Sequence, residues 1–337
     1  MPEPKQDAGQ QIAQMLTGYW ISQSIYVAAK LELADRVADG PKSPEELAEG
    51  VGVDARSLHR LLRALASVGV FVEDDQGRFD QTPASEALRR DVPGSKWAVA
   101  VMFGEEHYQA WGKLLDCIRT GQTGFEMVYG QPIFPYLAEN PEPARVFDAA
   151  MTSIHGRETD AILDAYDLSG VDTLADIGGG NGTMLLGALR RYPSLKGLLF
   201  DLPGVVDRAR PAIEAAGQAG RCEAIGGDFF RSIPPGVDAY LLRHIIHDWD
   251  DDQATLILRN IREAMRSDSR VLIAEAIVPR GNDPAFVKLL DLNMLVMPGG
   301  LERTEVQYRS LLAGAGLTLD RIVPTSGGVD VIECRPA

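Results

Sequence analysis

The sequence predicts an α/β protein, a parallel sheet with helices on both faces, preceded by a mainly helical region with a winged-helix outline. Three observations carry this. After Gly170, apolar strand-like segments (174–178, 197–200, 222–225, 238–242, 270–275, 317–323, 329–333) alternate with helical stretches (183–192, 204–217, 251–266, 304–314). That alternation is the pattern of a parallel sheet covered on both sides. Gly178, Gly179, Gly180 and Gly182 join the first of those strands to the first of those helices. Residues 43–79 read as helix, turn, helix, hairpin. The 337 residues suffice for about two domains. We place them at 10–100 and 101–337, with the sheet starting near 172.

In chain order, residues 11–39 read as a helix, with Ile12, Leu16, Ile21, Ile25, Ala28, Leu31 and Ala34 recurring near every three or four residues. Tyr19, Trp20 and Tyr26 lie off this stripe, so the helix has more apolar surface than one face can bury, which predicts a contact between subunits. Ser43, Pro44 and Glu46 form an N-terminal capping box, and Gly52 ends the helix they start. Residues 55–68 form the next helix, with Leu58, Leu61, Leu62, Leu65 and Val68 inward. Val70–Val72 and Arg78-Phe79, joined across Asp74–Gly77, read as a hairpin. Residues 84–168 are mostly helical, punctuated by Pro93, Gly121, Gly124, Pro132, Pro135, Pro141 and Pro143.

Charge narrows the function classes. Lys and Arg total 33 and Asp and Glu 48, a formal charge of −15. A surface this acidic opposes nucleic acid and anionic membranes, which need a field of the other sign. Arg56, Arg60 and Arg63 line one side of the second helix as in a DNA-reading helix, which raises a ligand-sensing transcriptional regulator as an alternative. Yet residues 1–100 hold 11 basic and 15 acidic side chains. Cys117, Cys222 and Cys334 are too scattered for a disulfide framework or a zinc ribbon. The polar start MPEPKQDAGQQ and the lack of any long apolar run predict a reduced, cytoplasmic protein.

The stretch LADIGGGNGTMLL is the most informative. Glycine lets the backbone turn tightly and approach a ligand at a helix N-terminus. A dinucleotide fingerprint needs glycine at 178, 180 and 183, and position 183 is Thr. Asp176 at the strand end suits the ammonium of an amino acid and repels a pyrophosphate. The next strand delivers Asp201, where an acid can hold ribose hydroxyls, and the third delivers Asp228-Phe229, where an adenine can be bonded and covered. Singly, these acids read as helix caps; at three successive strand ends they point to one ligand.

The fourth strand runs out as LLRHIIHDWDDDQ. Asp250 can cap the following helix, whose positive end Asp251 and Asp252 suit. His247 stands at the carboxyl end of a strand, where ligands of open α/β sheets sit. Glu275 ends the fifth strand and Glu302 lies in the loop MPGGLERTE; carboxylates beside His247 would orient it and strengthen it as a base. His244, His247 and Asp248 also have metal-ligand spacing, but no later histidine completes a triad, and no metal is expected.

DIGGGNGT, FDLPGVV, GDFF, LLRHIIHDWDDDQ, AEAIVP and GGLERTE together resemble the S-adenosylmethionine-dependent small-molecule O-methyltransferases, of both the plant phenylpropanoid and the bacterial natural-product type. The resemblance runs from about residue 15 to the end. It implies a class I, Rossmann-like methyltransferase domain behind a winged-helix-like dimerisation domain, and a homodimer. It implies that Asp176, Gly178 and Gly180 line the methionine end of S-adenosylmethionine, that Asp201 takes the ribose, and that Asp228 and Phe229 take the adenine. Arg243 stands where plant members carry a lysine near the cofactor. His247 falls on the general base, Glu275 and Glu302 on its carboxylates, and Met151 and Met294 on substrate-packing methionines. Met297 replaces a plant Asn, which speaks against a phenylpropanoid acceptor. The function so implied is methyl transfer to a hydroxyl, phenolic in type, of a small aromatic natural product. Same-fold relatives that methylate carbon or nitrogen, or catalyse another reaction, are the alternative.

Overall fold

The computed structural model describes residues 7–337, Arg157 by its backbone alone. They form two units: one holds the described residues up to Tyr108 together with Glu142–Ser153, the other residues 109–141 and 154–337. The helix Pro141–Ala165 contributes its first half to one and its second half to the other. Among the described residues, no helix is long and apolar enough to cross a membrane.

In the first unit, the single helix expected over 11–39 is three: Ala8–Leu16, Gly18–Lys30 and Leu33–Arg36. Thr17 interrupts the first pair, its hydroxyl donating to the carbonyls of Ala13 (3.1 Å) and Gln14 (3.1 Å). Glu32, with φ of 53°, interrupts the second. The expected capping box forms, Ser43 Oγ accepting from Glu46 N and the Glu46 carboxylate from Ser43 N, and Gly52 ends that helix at φ 72°. Helix Ala55–Ser67 buries Leu58, Leu62 and Leu65 and leaves Arg56, Arg60 and Arg63 exposed. Val68, expected inward, is exposed, because the helix has ended before it. Strands β1 (Phe71–Glu73) and β2 (Phe79–Gln81) form the hairpin, closed by Asp74, whose carboxylate accepts from the N–H groups of Gln76 and Arg78 at 2.9 Å. Phe71 and Phe79 join the leucines in one core. Ile12, Met15, Leu16, Tyr19 and Trp20 are exposed on the leading helices.

The second unit is built on seven strands: β3 (Thr173–Ile177), β4 (Lys196–Asp201), β5 (Cys222–Gly226), β6 (Ala239–Arg243), β7 (Arg270–Glu275), β8 (Leu317–Pro324) and β9 (Asp330–Pro336). Their order in the sheet is β5-β4-β3-β6-β7-β9-β8. The first five are parallel, as expected, but β9 runs antiparallel to both β7 and β8. The link between β8 and β9 is too short for the crossover that a parallel pair requires, so the chain turns back as a hairpin. Two apolar cores cover the sheet. On one face Ile177, Tyr240 and Ile273 meet helices Asp251–Ala264 and Glu305–Gly314 through Ile257, Leu258 and Leu312. On the other Leu174, Leu199 and Leu272 meet helices Thr183–Arg191 and Pro203–Ala215. A helix at Val287–Val296 was not foreseen. Its polar residues Lys288, Asp291 and Asn293 do not gather on one face, so no amphipathic period marks it.

This order has a functional consequence. From β3 the chain steps outward through β4 and β5, then returns to β3's other side with β6. The crevice outside the carboxyl ends of β3 and β6 is where an open α/β sheet receives its ligand.

Candidate active site

At the end of β3 the glycine loop takes the turn that its sequence requires. Gly178, Gly180 and Gly182 have φ of 69°, 58° and 77°, a region costly for other residues. Gly178 N donates to Phe200 O at 2.8 Å, and a Cβ there would lie 2.4 Å from Ile245 Cδ1. At Gly180 a Cβ would meet nothing within 4 Å, so the loop is open on that side. Asp176 sits beneath it, buried, with one carboxylate oxygen lacking a partner. Burial pushes its pKa up to about 6; the nearby Asp201 adds to this and Arg243 works against it.

The neighbouring strand ends converge on the same edge. Asp201 Oδ2 accepts from Gly180 N (2.8 Å) and its Oδ1 from Leu202 N (2.7 Å), so this acid also braces the glycine loop. Asp228 Oδ1 accepts from Phe230 N at 2.9 Å, and Arg231 lies 3.5 Å from its other oxygen. Phe229 packs edge-on against Trp249, and its Cε1 would lie 3.7 Å from a Cβ on Gly178. Asp176, Gly178, Gly180, Asp201, Asp228 and Phe229 are therefore brought together around one loop.

Arg243 ends β6 half-buried and donates to Thr159 Oγ1 at 3.1 Å. Burial lowers its pKa, while Asp176 and Glu158 hold it up. His244, next along, has the left-handed φ of 54°, rare outside glycine. Its ring stacks on His155 (centroids 4.0 Å, planes 14° apart), and its Nε2 shares a 2.8 Å hydrogen bond with Glu158 Oε2. Burial keeps both imidazoles neutral, that of His155 falling to about 2 and that of His244 well below its ordinary value. His155, Glu158 and His244 bring three potential metal-ligating atoms within 4.8 Å of one another. The rings lie face to face, however, so their lone pairs run parallel and do not converge on a point. The cluster is a hydrogen-bonded stack, and it differs from the metal set of His244, His247 and Asp248 that spacing alone raised.

His247 lies in the short 3-10 turn Ile246–Asp248 beyond β6 and is buried. Its Nδ1 meets Glu302 Oε1 at 2.7 Å, and its Nε2 lies 3.7 Å from Asp248 Oδ1. Burial works against charging this ring, but Asp248, the hydrogen bond to Glu302 and the charge of Glu275 outweigh it and hold the imidazole at about 10. Asp248, half-buried beside two other carboxylates, is pushed up to about 7 by its partial burial and by their charge.

Glu275 does not flank the ring as the sequence suggested. Its Oε1 accepts from the backbone N–H groups of Ile245 (3.0 Å), Ile246 (2.6 Å) and His247 (3.1 Å), and the Tyr308 hydroxyl donates to its Oε2. It acts on the turn that carries His247, and on the ring only through its charge. Glu302 is fixed differently. Arg303, fully buried, donates to the carbonyls of Ile246 (3.0 Å) and Trp249 (2.9 Å) and pairs with Asp251 (2.9 Å). Gly300 packs so tightly on the same turn that a Cβ would lie 2.0 Å from His247 O. Together they clamp the 300–303 loop onto residues 246–251. Sequence reasoning missed Asp248, Gly300, Arg303 and Tyr308 as parts of the site, although the first three lie in the motifs it quoted. Met294 is buried on helix Val287–Val296, whereas Met151 packs against the Ala29, Val101 and Ala150 cluster of the first unit.

The family described as O-methyltransferase domain matches residues 111–318, and that described as O-methyltransferase dimerisation domain matches residues 13–91. The chain is 45% identical to a phenazine O-methyltransferase of Lysobacter antibioticus, over 96% of this chain and 95% of that protein. It is 34% identical to a phenazine-1-carboxylate N-methyltransferase of Pseudomonas aeruginosa, over 94% of each. A crystal structure of an O-methyltransferase from neocarzinostatin biosynthesis, in complex with S-adenosylmethionine and 2-hydroxy-5-methyl naphthoic acid, superposes with a TM-score of 0.85 at 33% identity, covering 94% of this chain and 96% of that one. The chain belongs to the O-methyltransferase family with an N-terminal dimerisation domain, and it is an S-adenosylmethionine-dependent methyltransferase of the kind that serves natural-product biosynthesis.

Proposed function

We propose that the protein methylates a hydroxyl, phenolic in type, of a small aromatic natural product, with His247 taking the hydroxyl's proton. The observation that carries this reading is the His247–Glu302 pair: Nδ1 is held at 2.7 Å by a buried carboxylate, which leaves Nε2 as the ring's proton acceptor. A phenol ionises near pKa 10, and the carboxylates raise this imidazole above its ordinary value, which narrows the gap for proton transfer. A nitrogen acceptor with a free lone pair needs no such base. The names of two relatives, a phenazine O-methyltransferase and a naphthoic acid-bound enzyme, support a fused aromatic acceptor.

When bound, S-adenosylmethionine supplies a methyl group already activated on a sulfonium. This chain's part is to hold and align. The unpartnered oxygen of buried Asp176 and the open side of the loop at Gly180 fit the methionine end, with Gly178 and Arg243 beside them. Asp201 would take the ribose, and Asp228 with Phe229 the adenine. Alignment of reacting atoms contributes ~7–11 kcal/mol, against the 10²–10⁴-fold that a positioned base supplies. We assign dimerisation to residues 10–100 and catalysis to 101–337, in a cytoplasmic homodimer that covers the exposed Ile12, Met15, Leu16, Tyr19 and Trp20.

The test is methyl transfer from labelled S-adenosylmethionine to a panel of hydroxylated phenazines and naphthoates and to matched nitrogen acceptors. Product should carry the label on oxygen. His247→Ala should lower turnover ~10²–10⁴-fold, be partly rescued at higher pH, and leave the affinity for S-adenosylhomocysteine, which lacks the sulfonium charge, nearly intact. Transfer to nitrogen alone, or His247→Ala turning over a phenolic acceptor at the wild-type rate, would overturn the proposal.

A further inference from the structure

The resting charge of His247 poses a difficulty for its role as a base. The ring faces Glu302 at 2.7 Å and Asp248 at 3.7 Å, while Glu275 lies under its own backbone N–H. Three buried or half-buried carboxylates thus surround one imidazole. The other charged and titratable groups near it are few. Arg303 spends its guanidinium on Asp251 and on backbone carbonyls, Tyr308 donates to Glu275, and Asp291 accepts from Glu302 N. Arg243 lies at the end of β6 beside Glu158, and the His244 ring, 5.1 Å away, is neutral, as is His155 stacked on it. An imidazole so placed keeps its proton at neutral pH, and an imidazolium cannot accept another.

We propose that binding of the methyl donor's cation weakens the hold of His247 on its proton, so that the ring becomes a competent base at lower pH with the donor in place than without it. This rests on the reading of His247 as the base. A second cation brought near the imidazolium repels it, so the ring gives up its proton to solvent more readily. Proximity follows from the reaction. The oxygen that gives its proton to His247 must also receive the methyl, so sulfonium and imidazole flank one atom, roughly 6–7 Å apart when reacting atoms stand about 3 Å from each other. Ile245, two residues before His247, packs on Gly178 of the glycine loop, which brings the turn carrying the ring against that loop. At such a separation in a buried site, one charge shifts a neighbour's proton affinity by tenfold or more.

Linkage makes the idea measurable without catalysis. S-Adenosylmethionine and S-adenosylhomocysteine differ by the methyl group and one positive charge. We would titrate each into the cofactor-free protein at about pH 9 by calorimetry, in buffers of different ionisation heat, and count the protons released. Wild type should release about 0.4 of a proton or more per S-adenosylmethionine bound and close to none with S-adenosylhomocysteine. In His247→Asn the difference should vanish, and an NMR titration of the His247 ring should show its pKa at least one unit lower with the cationic ligand. Equal proton release with the two ligands in wild type, or a difference that persists in His247→Asn, would overturn the proposal. The outcome is separate from that of the base assignment: a His247 variant active on phenols refutes the base whatever the proton count, and a null proton count leaves the base assignment standing.

Discussion

Replacing Glu302 by glutamine tests whether this carboxylate sets the basicity of His247. The side chain keeps its shape and an oxygen that can accept from Nδ1, so the ring should stay in place while the charge is lost. The two groups touch at 2.7 Å, which puts their charges about 4 Å apart. At an effective dielectric constant of about 20 that separation is worth about 4 kcal/mol, or roughly 3 pKa units. His247, held at about 10, should fall toward ~7. If about half of the lost basicity is felt in the transition state, turnover on a phenolic acceptor falls roughly 30-fold at the high-pH plateau, where the ring is unprotonated in both proteins. Stability should fall too. The other Glu302 oxygen is buried without a partner, and an amide NH₂ there is an unsatisfied donor that costs ~1–3 kcal/mol. The assay is turnover from pH 6 to 10 for wild type and Glu302→Gln, with thermal melting alongside. The limb that reports His247 should move to lower pH in the variant. If neither limb moves while melting shows the expected loss, Glu302 braces the loop and does not set the base.

Glu275→Gln should act through the backbone: three N–H groups lose a charged acceptor, so we expect turnover to drop with both kcat and KM altered and melting lowered by ~1–3 kcal/mol, whereas an effect on the pH profile alone would contradict the geometry. Gly300→Ala forces a Cβ into the His247–Trp249 backbone and should cost ~1–3 kcal/mol or more and at least tenfold in turnover; a neutral variant would mean that the 300–303 loop does not clamp the turn. Asp176→Asn bears on pH. The folded-state pKa of about 6 lies above the unfolded ~3.9, so this acid's protonated form is the one that folding favours. The stability it contributes is present below ~4 and is lost as pH rises through 6, about 3 kcal/mol in all. The asparagine variant should therefore melt higher than wild type at pH 7, with the gain gone near pH 4, and should bind S-adenosylmethionine more weakly; equal melting at both pH values would refute the burial argument. Asp201→Ala should weaken the cofactor by a few kcal/mol through lost ribose contacts and a loosened Gly180; unchanged affinity would place the ribose elsewhere.

Much of this protein is local and therefore legible in sequence. The capping box at Ser43 and Glu46, the left-handed Gly52, and the glycines after β3 are decided by residues within a turn of one another, and the structure shows each where it was expected. So does the alternation of strands and helices, whose periods depend on which faces are buried. Strand order and direction are different. The antiparallel β9 follows from a link too short to cross the sheet, information that lies in spacing more than in residue type. At the site, the pairing of His247 with Glu302 joins residues 55 apart, and proximity of that kind is set by the sheet order and by Arg303 holding two loops together. Glu275 shows the limit most clearly. Its place at the end of β7 could be read from the sequence, but whether its carboxylate would meet a ring or three backbone N–H groups depended on how the 245–247 turn folds over it. Residue type and position specify which chemistry is available, and only packing decides which atoms meet, because hydrogen bonds act over distances shorter than a side chain.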